Sequence, residues 1–72
     1  MIKIIDAEGV SHFIHKKNIA HLETHTKERQ MGEVPFWGVV YFQYESPLPL
    51  LPRALYLGKK GAKELEEQIE KS

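Results

Sequence analysis

The residues best suited to chemistry in this sequence are four histidines between Ser11 and His25: His12, His15, His21 and His25. Imidazole nitrogens bind Zn²⁺ when they converge to within about 2.0–2.1 Å of one ion. In an extended strand, His21 and His25 would share a face but lie ~13 Å apart. His12 and His15 would point to opposite faces. The spacing therefore predicts no metal site, and we expect no cofactor.

A helical arrangement of the same segment would place His21 and His25 one turn apart. The zinc-hydrolase motif HExxH needs a glutamate directly after its first histidine, whereas Glu23 stands two residues after His21. We therefore interpret the four histidines as solvated strand residues. A pH-dependent interaction stays an alternative, because imidazoles change charge between pH 5 and 8.

The chain contains few residues suited to nucleophilic or acid–base catalysis. The absence of cysteine excludes disulfides and thiolate zinc sites. The serines, Ser11, Ser46 and Ser72, do not lie in a GxSxG sequence, and Asp6 is the only aspartate. We expect a non-catalytic protein with no catalytic residue.

Basic residues around the start of the predicted helix indicate an alternative function. The GKKG sequence at Gly58–Gly61 resembles the GxxG loop with which KH domains clamp nucleic-acid backbone. The RALYL segment before it looks extended, however, where a KH domain has a helix. Backbone N–H groups at a helix N-terminus, with nearby ammonium groups, could still bind an anion. A formal net charge of +0 makes nucleic acid the less favoured ligand. The alternative anion-binding residues are Lys16, Lys17, Arg53, Lys59 and Lys60.

The first part of the chain is predicted to form three short strands. Isoleucines at 2, 4 and 5 indicate the first strand, and residues 6–9 form a turn in which Gly9 can adopt positive φ. Residues 10–14 form the second strand and residues 19–26 the third. We expect these two to pair as a hairpin, with its turn centred on Lys17.

The next part contains the strongest strand signal. Residues 27–35, KERQMGEVP, are polar and include Gly32 and Pro35, which indicates a long hairpin loop. Residues 36–45, FWGVVYFQYE, place apolar side chains on both faces, with Phe36 on the face of Gly38 and Val40. This pattern is typical of a central strand that is covered on both sides.

The elements predict an α+β fold in a single domain over residues 1–72. An antiparallel meander of four to five strands, the last at residues 53–57, carries one C-terminal helix packed on one face. The helix runs from about Lys59 to Lys71, and its apolar stripe is Ala62, Leu65 and Ile69. Because one helix covers one face, the other face of the 36–45 strand needs a cover, which a second copy of the chain would supply.

The segment SPLPLLP at residues 46–52 indicates a protein contact. Its prolines cannot donate ladder hydrogen bonds, and a tight loop cannot easily bury all of its leucines. Together with Arg53 it also resembles the polyproline ligands of SH3-type domains. The predicted protein-interaction residues are Trp37, Tyr41, Leu48, Leu50 and Leu51.

These observations predict a small interaction or regulatory module that forms a homo-oligomer and could also bind an unidentified protein. No apolar run reaches the ~18 residues of a membrane span, and Asp6 and Glu8 come too early for a signal peptide. We therefore expect a cytoplasmic protein. The order of a D-x-x-G turn, an N-I-x-x-L step and a final amphipathic helix is similar to that of several short bacterial and phage proteins, including FlbD-type flagellar proteins. No functional residue follows from that likeness.

Overall fold

The computed structural model describes residues 1–44 and 53–71. Strands β1 (Ile2–Ile5) and β2 (Ser11–Ile14) form one antiparallel sheet, and β3 (Ile19–Met31), β4 (Val34–Phe42) and β5 (Ala54–Leu57) form a second antiparallel sheet with β4 in the centre. The α+β class, the antiparallel strands and the C-terminal helix are confirmed, although the strands are divided between two sheets. The elements in order are β1 Ile2–Ile5, β2 Ser11–Ile14, a 3₁₀ helix Lys16–Asn18, β3 Ile19–Met31, β4 Val34–Phe42, β5 Ala54–Leu57 and α1 Lys59–Glu70.

The predicted hairpin between the second and third strands is wrong. β2 pairs with β1, and β3 pairs with β4. The intervening residues form a 3₁₀ turn in which the Asn18 N–H donates to the His15 carbonyl at 2.9 Å. Positive φ occurs in the described ranges only at glycines, so Asn18 does not take the left-handed conformation that a tight hairpin would need. The turn instead carries the chain from one sheet to the other.

The predicted long loop at residues 27–35 is also wrong, because β3 and β4 continue through it. Met31 lies opposite Val34, which leaves a two-residue turn. Its first residue, Gly32, has φ +63°, as a type II′ hairpin turn requires. Pro35 is tolerated within β4 because its nitrogen points away from β3. It also lies outside the four residues of β4 that pair with β5, so neither neighbouring strand loses a hydrogen bond.

A large bulge interrupts the pairing of β3 with β4. Four residues of β3 lie between Thr24 and Arg29, where β4 has only Trp37. Beyond this bulge Phe36 leaves the predicted alternation. Its ring packs edge-on against Tyr56 at 4.9 Å between centroids, and Tyr56 is the cross-strand partner of Val39. Val39 is only 5% exposed, so the chain itself covers much of the face for which we expected a second copy.

The core lies between α1 and the two sheets. Ala62 and Leu65 are buried and Ile69 packs beside them, which confirms the predicted helix stripe. Fully burying a side chain of the size of Leu65 contributes about 1.5–3 kcal/mol. The buried core consists of Ile2, Ile4, Val40, Leu57, Ala62 and Leu65, surrounded by Ile14, Ile19, Leu22, Phe42, Leu55 and Ile69.

Three backbone contacts attach the β1–β2 hairpin to the rest of the molecule. The Ala7 N–H donates to the Tyr56 carbonyl at 2.8 Å, and the Gln68 side-chain amide donates to the Lys3 carbonyl at 3.0 Å. At Gly61 the first turn of α1 comes so close that a Cβ there would lie 2.5 Å from the Ile5 carbonyl oxygen. The glycine is therefore what allows the helix to approach β1.

Candidate protein-interaction site

The turn between β1 and β2 is organised by the Asp6 carboxylate. One oxygen accepts the N–H groups of Glu8 and Val10 at 2.9 Å each, and the other lies 2.8 Å from His12 Nε2. Gly9 allows the turn to close, with φ +90° as expected. Burial raises the pKa of the Asp6 carboxyl, but hydrogen bonds from His12, Val10 and Glu8 outweigh it and leave that pKa below its ordinary value. The carboxylate therefore stabilises the hairpin while it is ionised.

The other histidines have separate surroundings. The His21 ring stacks on Tyr41 at 6.0 Å and its Nε2 lies 3.6 Å from a Glu23 oxygen. His25 meets the Phe36 ring edge-on at 5.9 Å. In residues 1–44 and 53–71, no three histidine, aspartate or glutamate side chains come close enough together to hold a metal ion. What these contacts supply is packing on the sheet surface.

The predicted interaction residues fall into two groups. Trp37 is half-buried, with the Lys59 ammonium 5.0 Å from its ring centroid. Tyr41 is 39% exposed. Leu48, Leu50 and Leu51 lie outside the described residues. The interaction role of all five stays a prediction.

The predicted anion-binding residues lie at two ends of the three-stranded sheet. At one end the Asn18 carbonyl accepts the Gln43 N–H at 2.7 Å and the Arg53 carbonyl accepts the Phe42 N–H at 2.9 Å. Lys16 and Lys17 immediately precede Asn18. These three cations therefore flank the last residues of β4.

Lys59 and Lys60 lie at the opposite end, after β5. Arg53 and Lys59 are six positions apart along extended backbone, a span of roughly 20 Å. Lys60 is 3.9 Å from a Glu64 oxygen, and Lys59 lies over Trp37. Lys59 and Lys60, which are neighbours in the sequence, therefore lie apart from the other three cations.

A residue that the sequence analysis did not select, Phe13, projects from the outer face of the β1–β2 hairpin opposite Lys3. Its side chain is 65% exposed. Its position between the half-buried His12 and Ile14 is the alternation expected of a strand with one buried face. That alternation was the sequence signal that could have identified it.

The backbone of β2 has an unpaired outer edge in the described part of the chain. The Asp6 N–H donates to the Val10 carbonyl at 3.0 Å, which fixes the alternation of hydrogen-bonded pairs along the two strands. Residues 12 and 14 therefore bond to β1, whereas the N–H and C=O groups of Ser11 and Phe13 point outward. An exposed aromatic side chain next to an unpaired edge is typical of an interaction surface.

Comparison of the chain with protein-family models, with curated proteins and with solved structures found no match. No helix in the two described ranges has the length and apolar character needed to cross a bilayer.

Proposed function

We propose that this protein is a small, non-catalytic interaction module that self-associates through the outer edge of β2. The observation that supports the proposal is Phe13, a large apolar side chain that lies mostly exposed beside outward-pointing backbone groups. Burying it against a second copy would remove apolar surface from water and pair those groups at once. Absence of cysteine fits a cytoplasmic location, which we include in the proposal.

The outer edges of β2 and β3 differ in the features that oppose association. β3 carries the charged run Lys27, Glu28 and Arg29 and a large bulge, both of which are common obstacles to edge-to-edge pairing. β2, SHFI, has no lysine, arginine, aspartate or glutamate and pairs with β1 without a register shift. The β2 edge is therefore the more favourable one for a second copy.

Antiparallel pairing around a twofold axis at His12 would place Ser11 of each copy opposite Phe13 of the other. Each such pair exchanges two backbone hydrogen bonds, so the interface would contain four. The two Phe13 rings would be diagonal neighbours on one face, ~7–8 Å apart and within reach of each other. The small Ser11 side chain leaves room for the ring opposite it.

Sedimentation equilibrium of the full chain at several concentrations tests this proposal. Ser11→Pro removes an N–H that β1 does not use. Because the dimer is symmetric, the interface loses two hydrogen bonds. At about 0.5–1.5 kcal/mol per hydrogen bond, we expect self-association to weaken by about 1–3 kcal/mol, or roughly 5- to 150-fold. Phe13→Ser should weaken it as well.

The matched control is Ala54→Pro, at a β5 position whose N–H also points away from its own sheet. It should leave self-association unchanged. A parent chain that stays monomeric, or a folded Ser11→Pro variant that associates like the parent, contradicts the proposal. Circular dichroism melts of each variant show whether it is folded. A Tyr41→Ser variant tests the predicted contribution of the other face in the same assay.

A further inference from the structure

A second surface lies at the outer edge of β5, on a different part of the molecule from Phe13. A shallow cleft of about 180 Å³ opens there between β5, the β1–β2 turn and the end of the β3–β4 hairpin. Small-molecule sites are typically ~300–1,000 Å³, so the cleft is closer in size to one or two side chains. Its lining residues are Asp6, Ala7, Glu8, Met31, Val34, Ala54, Leu55 and Tyr56.

The backbone of β5 points two groups of Ala54 toward this edge. The Phe42 N–H donates to the Arg53 carbonyl at 2.9 Å, and the register of β4 with β5 continues without a shift. Residues 55 and 57 therefore bond to β4, while the N–H and C=O of Ala54 and Tyr56 point outward. The outward Tyr56 carbonyl already accepts the Ala7 N–H at 2.8 Å. Strand-like pairing on this edge thus begins at Ala7, and no backbone group within residues 1–44 and 53–71 pairs with the outward groups of Ala54.

The charge of the cleft is one-sided. Asp6 and Glu8 are its only ionisable side chains that carry full charge at neutral pH, and no lysine or arginine of the described chain lines it. The Asp6 carboxylate is already occupied by His12 and two N–H groups. Glu8 is exposed, and its own N–H donates to Asp6, which holds the loop in place. Its carboxylate is therefore positioned to meet a cation at the rim.

We propose that this cleft binds an extended segment of a partner protein that alternates apolar and basic side chains. The segment would add to the β5 edge by pairing with the N–H and C=O of Ala54. An apolar side chain would fill the space between Met31, Val34 and Leu55, and a lysine or arginine would lie beside Glu8. This binding goes beyond self-association, because it uses the edge of a different strand and a different occupant.

The test is an NMR titration of the full ¹⁵N-labelled chain with acetyl-Val-Lys-Val-Lys-Val-amide, and with the matched peptide in which glutamate replaces lysine. We expect weak binding, with a Kd on the order of 1 mM, and shifts concentrated at the amides of Glu8, Met31, Ala54 and Tyr56. The glutamate peptide should bind at least several-fold more weakly. Raising the salt concentration should weaken binding of the lysine peptide but not binding of the glutamate peptide.

Substitutions locate the site and separate it from the β2 edge. Ala54→Pro removes the outward N–H and should lower the affinity for the lysine peptide at least fivefold. Glu8→Gln should lower that affinity two- to fivefold, on the order expected for one exposed ion pair. Ser11→Pro and Thr24→Pro remove outward N–H groups from the β2 and β3 edges and should leave the affinity for the lysine peptide unchanged. Ser11→Pro also suppresses self-association, so the two proposals can fail independently.

Several results would overturn the inference. They are absence of binding at about 5 mM peptide, equal affinity for the two peptides, or shifts confined to β2 or β3. If Ala54→Pro does not fold, Glu8→Gln and the position of the shifts decide. Concentration-dependent shifts at Ala54 without peptide would instead identify a second copy as the occupant.

Discussion

Replacing Gly61 by alanine tests the close approach of α1 to β1. Helix propensity alone favours alanine over glycine in a helix interior by about 0.8–1.0 kcal/mol. The added Cβ would lie 2.5 Å from the Ile5 carbonyl oxygen, about 0.9 Å inside the 3.4 Å at which ordinary contact begins. The neighbour is main chain in a paired strand, so it cannot yield by a side-chain rotation.

Relief of that overlap requires the helix and β1 to separate. Overpacking of this kind costs about 1–3 kcal/mol, and the movement would also disturb the Gln68–Lys3 hydrogen bond. Loss of that hydrogen bond adds about 0.5–1.5 kcal/mol, so after subtraction of the propensity gain we expect Gly61→Ala to lower the free energy of unfolding by roughly 0.5–3.7 kcal/mol. For a domain of this size that corresponds to a fall in Tm of about 2–30 °C.

Urea denaturation and thermal melts followed by circular dichroism would measure the change. Gly58→Ala is the matched control, because its Cβ would meet nothing within 4 Å and Gly58 has an ordinary extended backbone with φ −73°. Gly58 is the N-cap of α1, where glycine is preferred to alanine, and the lower conformational entropy of the unfolded alanine variant offsets the loss of that preference, so stability should change by less than about 0.5 kcal/mol. A Gly61→Ala protein as stable as the parent, or more stable, would refute the reasoning that main-chain contact determines this position.

Further predictions concern the two turns and the start of α1. Because the pKa of folded Asp6 is depressed, its ionised form stabilises the fold above the unfolded pKa of about 3.9. That contribution is lost as pH falls through the folded pKa. The Tm of an Asp6→Asn variant should therefore fall less steeply with acidification than that of the parent, and an equal slope would contradict this. His12→Ala should raise the pKa of Asp6 in an NMR titration. Gly32→Ala, at φ +63°, should destabilise the protein by about 1–2 kcal/mol in urea. Lys59→Met should change stability by less than about 0.5 kcal/mol. The reason is that loss of the contact with Trp37 and loss of an unfavourable charge at the start of α1 offset each other. A change above about 1 kcal/mol would show that one of the two effects dominates.

The parts of the fold that follow from local pattern were predictable from the sequence. The isoleucines of β1, the apolar residues of β4 and the stripe of α1 carry period-two or helical patterns. The second half of β3 carries no such signal, because its side chains are nearly all exposed and polar. Pairing with β4 makes this half a strand, and Gly32 and Glu33 are enough for the turn. Polarity alone therefore indicated a loop wrongly.

The candidate sites depended on register that the sequence does not show. Asp6 and His12 are six residues apart and meet only because β1 and β2 pair around Gly9. The β5 cleft joins three separate segments of the chain. Phe36 could not be placed on its correct face, because the bulge opposite Trp37 breaks the alternation on which the prediction relied.

The contact of α1 with β1 has a consequence for the order of events on the ribosome. The hairpin that contains Ile2 and Ile4 is synthesised first, but its apolar side is covered by Leu57, Ala62 and Leu65. The first of these residues, Leu57, is added to the chain 43 positions after Ile14, the last residue of the hairpin. At about 5–20 residues per second, that interval lasts roughly 2–9 s. During it the isoleucines that the finished helix later covers lack their partners in the core.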